Sequence, residues 1–110
     1  MKHYRVVISP KAGRDIIAAY DWLYDENPSY AAQWRDGLRQ AVIRLQTLPF
    51  AHAIAPESAE FDMEIRHMLY GRGIPWRVFY CVEKDQVSIL HVRHGRRDYW
   101  QAEATDTTEE

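Results

Sequence analysis

Apolar residues recur along this chain first at helical spacing and then at strand spacing, which separates a helical first half from a strand-rich second half. Tyr4-Arg5-Val6-Val7-Ile8 reads as an opening strand that stops at Ser9-Pro10, an N-cap serine followed by proline at the first helical position. Ala12, Ile16, Ala19, Tyr20 and Leu23 then share one helical face, predicting a helix over about 10–25. Asn27-Pro28 repeats the cap-and-proline signal. Behind it Ala31, Trp34, Leu38, Ala41, Leu45 and Leu48 form a long stripe, predicting a second helix over about 28–48 that stops before Pro49. A linker of two or three residues makes the pair an antiparallel hairpin.

Residues 49–62 have no clear period and read as a loop. Three strand-like runs follow, at about 63–70, 75–83 and 86–94. Gly71-Arg72-Gly73-Ile74-Pro75 joins the first two and Glu83-Lys84-Asp85 turns between the last two. The predicted fold is α+β, in the order β-α-α-β-β-β: an antiparallel-dominated four-stranded sheet with an N-terminal two-helix hairpin on one face. The hairpin covers one side of the sheet and leaves the other partly open. On the 75–83 strand Trp76, Val78, Tyr80 and Val82 share one face, and Arg77, Phe79 and Cys81 the other. Residues 1–100 form one domain, and 101–110 read as an acidic, flexible tail.

Charge is unevenly distributed behind a formal net charge of -2. From Met63 to Arg97 there are seven Lys/Arg, three acids and three histidines; from Asp98 onward there are five acids and no bases. Residues 49–65 hold Glu57, Glu60, Asp62 and Glu64, again without a base. A general nucleic-acid binder usually presents a whole basic face, so this pattern points elsewhere. The basic residues concentrate at Val87-Ser88-Ile89-Leu90-His91-Val92-Arg93-His94-Gly95-Arg96-Arg97-Asp98-Tyr99-Trp100. There a strand runs directly into a cationic turn suited to an anionic or acidic partner. The single cysteine, Cys81, lies in an apolar run and fits a reducing compartment. No hydrophobic leader or run of roughly 18 apolar residues appears, so a cytoplasmic location is expected.

Several of these pieces together resemble the RelE/ParE superfamily of bacterial toxin–antitoxin toxins. They are the element order, Ser9-Pro10-x-Ala12 opening helix 1, Glu64-Ile65-Arg66, Trp76-Arg77-Val78-Phe79-Tyr80, and Val87-x-Ile89-Leu90-x-Val92-x-His94-Gly95-Arg96-Arg97-Asp98. The resemblance covers about residues 3–100. It implies a growth-inhibiting toxin of a type II system held inactive by an antitoxin. One branch resembles ribosome-dependent mRNA endonucleases; the ParE-like branch poisons DNA gyrase, and the His-Gly-Arg-Arg-Asp ending is more similar to the latter.

On the enzymatic reading, Arg66, Arg77 and Arg97 would hold a phosphate, His94 and Tyr99 would move protons or stack, and Glu57 or Glu64 would act as base. On the gyrase reading, His94, Arg96, Arg97, Tyr99 and Trp100 form the target-binding surface. The acidity of 49–65 disfavours docking on ribosomal RNA, because phosphate contacts dominate such affinity. Structural roles compete for the same residues. Arg77 can pair with Glu64 or Asp98, Arg66 can be an ordinary strand residue, His94 can bond backbone, and Trp100 can fold over the sheet edge. Tyr20, Trp22, Tyr30 and Trp34 crowd the hairpin beyond what a two-helix layer needs, marking an expected antitoxin-binding edge.

No cofactor or metal is expected. His91 and His94 should lie on opposite strand faces, Gly71-Arg72-Gly73 is too short for a phosphate loop, and a buried Cys81 is a poor nucleophile.

Overall fold

The protein is described by a computed structural model for residues 2–95 and 100. β1 (Arg5–Ile8) leads into α1 (Pro10–Glu26) and α2 (Pro28–Ile43), followed by β2 (Arg66–Tyr70), β3 (Trp76–Glu83) and β4 (Gln86–His94). The sheet order is β1-β4-β3-β2. β1 runs parallel to β4, and the other two pairings are antiparallel.

The helix starts follow from local chemistry. Ser9 accepts a bond from the Ala12 N–H at 3.1 Å, and Asn27 one from the Tyr30 N–H at 3.1 Å, each ahead of a proline that has no N–H to satisfy. Asn27 alone separates the helices and also caps the end of α1, its own N–H bonding the Leu23 carbonyl at 2.8 Å. The hairpin is therefore tighter than a two- or three-residue linker.

The second helix is shorter than its stripe predicts. Regular α-helix ends at Ile43 and tightens to a 3-10 turn over Arg44–Gln46. Leu45 still points into the core, whereas Leu48 is exposed. The Gln46 carbonyl is taken by the Tyr4 N–H at 2.8 Å, tying the helix end to the start of β1.

The second face of the sheet, expected to be partly open, is covered over its centre and exposed at its sides, at Val7 and Leu69. Between the helices and the sheet lie Ala12, Ala19, Leu23, Trp34, Leu38 and Leu45 against Met68, Val78, Tyr80, Val87, Ile89 and Val92. On the opposite face a second cluster joins Ala55, Ile65, Phe79, Cys81 and Trp100, with Phe61 and Leu90 alongside. The segment read as a bare loop supplies that cover: it contains a 3-10 helix, Pro56–Glu60, and bridges β2 through Ile54 and Arg66. The alternation predicted for β3 holds, Val78 and Tyr80 facing the helices and Phe79 and Cys81 the second cluster. Burial pushes the Cys81 thiol up, as expected for a core cysteine.

The β3–β4 register shifts between Phe79 and Tyr80: Phe79 opposes His91 while Tyr80 opposes Ile89, leaving Leu90 as the extra residue of a bulge. Beyond that bulge β4 outruns β1, which ends opposite Ile89, and α1 passes along its free edge. Among the described residues no helix is long and apolar enough to cross a membrane.

Candidate functional site

A buried ion pair and a carboxylate–imidazole pair organise the region around the β4 end, where the sequence concentrates its chemistry. The first belongs to Arg77. Its Nη1 and Nη2 donate to the two Glu57 carboxylate oxygens at 2.6 and 2.7 Å, and its Nε reaches His67 Nδ1 at 3.2 Å. The guanidinium also lies over the Phe79 ring. Arg77 is 3% exposed and Glu57 0%. Arg77 thus pairs with Glu57, while Glu64 pairs with Arg66, and Glu57 is no free base. Burial pushes the Glu57 carboxyl up, but the Arg77 bonds and the Trp100 N–H, which donates at 3.1 Å, outweigh it and hold the group below the usual carboxylate range.

The second pair joins the helix to the strand edge. Asp15 on α1 accepts from His91 Nδ1 at 2.8 Å and from the Val92 N–H at 3.0 Å through one oxygen, and from Lys11 Nζ at 2.7 Å through the other. The carboxylate thereby satisfies a backbone donor on the part of β4 that β1 does not reach. Burial pushes Asp15 up, yet these bonds hold it below its ordinary range. Burial pushes His91 down, more than Asp15 raises it. Both directions fit one state at neutral pH: a neutral imidazole donating its Nδ1 proton to an ionised Asp15. His91 Nε2 then has a lone pair and, among the described residues, no hydrogen-bond partner.

A pH dependence follows. His91, Glu57 and Asp15 all have depressed folded-state values, so each contributes stability that is lost as pH falls. Loss from His91 begins below its ordinary 6.5, as the unfolded chain takes up a proton that the folded site resists. The carboxylates add theirs below their ordinary 4.5 and 3.8. Urea midpoints are expected to fall steadily from pH 7 to pH 4; a flat profile down to pH 5 would show that His91 is not held neutral.

The remaining expected site residues scatter. Arg66 donates to the His52 carbonyl at 2.7 Å and to Glu64 at 3.2 Å, and lies over Phe50. It is more than the exposed strand residue expected, but its place opposes Tyr80, whereas His94 opposes Trp76. Four residues of strand separate those levels, roughly 13 Å, with another strand between. Arg66 and His94 are therefore not brought together. His94 is exposed and packs its ring on Trp76 at 4.7 Å and near Trp22 at 5.9 Å, instead of serving as a backbone cap. His91 and His94 lie on opposite sides of the sheet, as their spacing required.

Trp100 is corrected from a target-binding residue to a core residue. It is 7% exposed, stacks on His91 at 4.6 Å, and packs against Phe61 at 4.7 Å and Phe79 at 5.0 Å. It lies on the second sheet face, not over an edge. Trp34 is likewise removed from the antitoxin-binding set: it is 2% exposed and packs against Tyr70 and Trp76. Trp22 and Tyr30 are exposed, and Tyr20 is half-buried beneath Arg35. Arg96, Arg97, Asp98, Tyr99 and the 101–110 tail lie outside the described residues.

Asp15 and Glu57 as pairing partners were missed in the sequence. Asp15 borders the apolar face of α1 four residues before Ala19, and Glu57 follows a proline in an acidic segment; neither position marks a buried carboxylate. Beside the edge strand β1, Val6, Ile8, Ile16, Leu38 and Val42 line about 360 Å³ of open apolar space, with Arg35 and Arg39 at its margin.

Comparison with known proteins gives the family. No curated protein matches the sequence. Among solved structures, one described as the chromosomal ParDE TA system from P. aeruginosa superposes with a TM-score of 0.70 at 21% identity, covering 86% of this chain and 98% of the other. That likeness concerns the fold. The sequence profile described as "ParE toxin of type II toxin-antitoxin system, parDE" matches residues 6–99. The chain belongs to the ParE toxin family of type II toxin–antitoxin systems.

Proposed function

We propose that this chain inhibits DNA gyrase and is neutralised by a cognate antitoxin. The observation that carries the choice of a non-nucleolytic toxin is the state of Arg77. An endonuclease needs a cation free to hold the scissile phosphate and a base beside it. Arg77 instead grips Glu57 inside the second core, and Arg66 lies far along the sheet from His94. Expected target contacts at His94, Arg96, Arg97 and Tyr99 therefore act by binding. The alternative, a RelE-like ribosome-dependent mRNA endonuclease, loses its best phosphate ligand.

The groove beside β1 suits the antitoxin. An amphipathic segment can bury apolar side chains on Ile8, Ile16 and Leu38 while its acids meet Arg35 and Arg39. Tyr30 and Trp22 remain candidates for an adjoining contact. One experiment tests both halves. Purified toxin is expected to block gyrase supercoiling, and the neighbouring antitoxin to relieve the block. Ile8→Asp, placed in the groove, is expected to keep the block but lose most of the relief. Supercoiling untouched by the wild type, together with mRNA cuts on translating ribosomes, would replace this reading with the endonuclease.

A further inference from the structure

A second cavity, separate from the β1 groove, lies where α1 crosses the free end of β4. It has a volume of about 370 Å³, opens broadly to solvent, and is bounded by Asp15, Ala18, Trp22, Trp76, Val92 and His94. Its origin is topological: β1 ends opposite Ile89, so the space beside His91–His94 is filled by a helix face and not by a strand. On that face Ala18 and Ala19 are too small to fill it.

We propose that this cavity binds a guanidinium group, the side chain of an arginine on a protein partner. Three observations converge on that chemistry. Its walls are aromatic: Trp76 packs on His94 at 4.7 Å, Trp22 stands at 5.9 Å from the same ring, and Trp22 is still 53% exposed. Indole faces attract cations, and arginine stacks on them better than lysine because it is planar and weakly hydrated. One end is a carboxylate. Among the described residues Asp15 receives three hydrogen bonds, from Lys11, His91 and Val92, which leaves about one of its roughly four acceptor positions unfilled by them. The α1 wall also has the right sign, although Arg93 on β4 and Lys11 oppose it. After Arg14, α1 carries Asp15, Asp21, Asp25 and Glu26 with no Lys or Arg, and its negative dipole end lies at Glu26.

Lys11 already neutralises part of the Asp15 charge, so the aromatic walls must supply much of the selectivity. The open mouth encloses too little of a free small molecule to hold it tightly, which favours a side chain anchored from a larger body. This inference does not depend on gyrase being the target.

The test uses the full chain with N-acetyl-arginine amide as probe and N-acetyl-citrulline amide as its neutral isostere. Saturable shifts of the Trp22 and Trp76 indole N–H signals are expected with the arginine probe, and binding roughly tenfold weaker with citrulline. Ala18→Leu, at an exposed helical position facing the cavity, is expected to abolish the shifts with the unfolding midpoint unchanged. Trp22→Leu provides a second variant, expected to weaken binding without disturbing the core. Absence of saturable shifts overturns the proposal. So does equal binding of citrulline, tighter binding of tetramethylammonium, or full binding retained in Ala18→Leu.

Discussion

Glu57→Ala is expected to lower the free energy of unfolding by about 3–5 kcal/mol, the usual cost of breaking one side of a buried ion pair. The substitution leaves the Arg77 guanidinium, 3% exposed, without the carboxylate that takes two of its hydrogen bonds. It also removes the acceptor of the Trp100 N–H. Against a typical total stability of about 5–15 kcal/mol, such a loss leaves a marginal protein. Urea denaturation at pH 7 measures it. Arg77→Ala should cost a comparable amount, because Glu57 then becomes the stranded charge. The double variant Glu57→Leu/Arg77→Met should recover much of the loss, since burial of well-packed apolar groups replaces the pair without a desolvated charge. A single-variant cost under about 1 kcal/mol would mean that water reaches the pair.

Trp100→Ala is the second large effect, with an expected cost of about 3–5 kcal/mol for truncating a buried indole. Trp100 is the centre of the second cluster, in contact with Phe61, Phe79 and His91. Its removal also opens a path for water to His91 Nε2. Burial is the main cause of the depressed His91 value, so the imidazole should titrate closer to its ordinary 6.5 in the variant. An NMR titration of His91 separates this account from generic loss of packing. A destabilised variant whose His91 titration is unmoved would show that Trp100 does not control solvent access there.

The same residue explains why part of the site could not be read from sequence. A tryptophan following a cationic turn looks like a binding residue, because large aromatics beside arginines are common in interfaces. What reverses the reading is the Pro56–Glu60 turn, which brings the Glu57 carboxylate beneath the backbone N–H of Trp100, forty-three residues later in the chain. No local period encodes that meeting. The Asp15–His91 contact, separated by 76 positions, was hidden for the same reason. Trp34 differs: its stripe position marks it as core-facing, and of the aromatics crowding the hairpin it is Trp22, Tyr24 and Tyr30 that are exposed.

Sequence alone determined the element order, the two capped helix starts, the alternation on β3 and the placing of His91 and His94 on opposite faces, because caps, turns and side-chain periods act over a few residues. It also carried enough ordered motifs to indicate the toxin superfamily. Tertiary structure decided the rest. It made β1 parallel to β4, covered the centre of the second sheet face, sealed Arg77 against Glu57, and opened the Trp22–Trp76 cavity beside the β4 edge that β1 does not reach. Each of these depends on which distant segments share a space. A charged side chain's role is set by the partner that meets it once water is excluded, and local sequence does not name that partner.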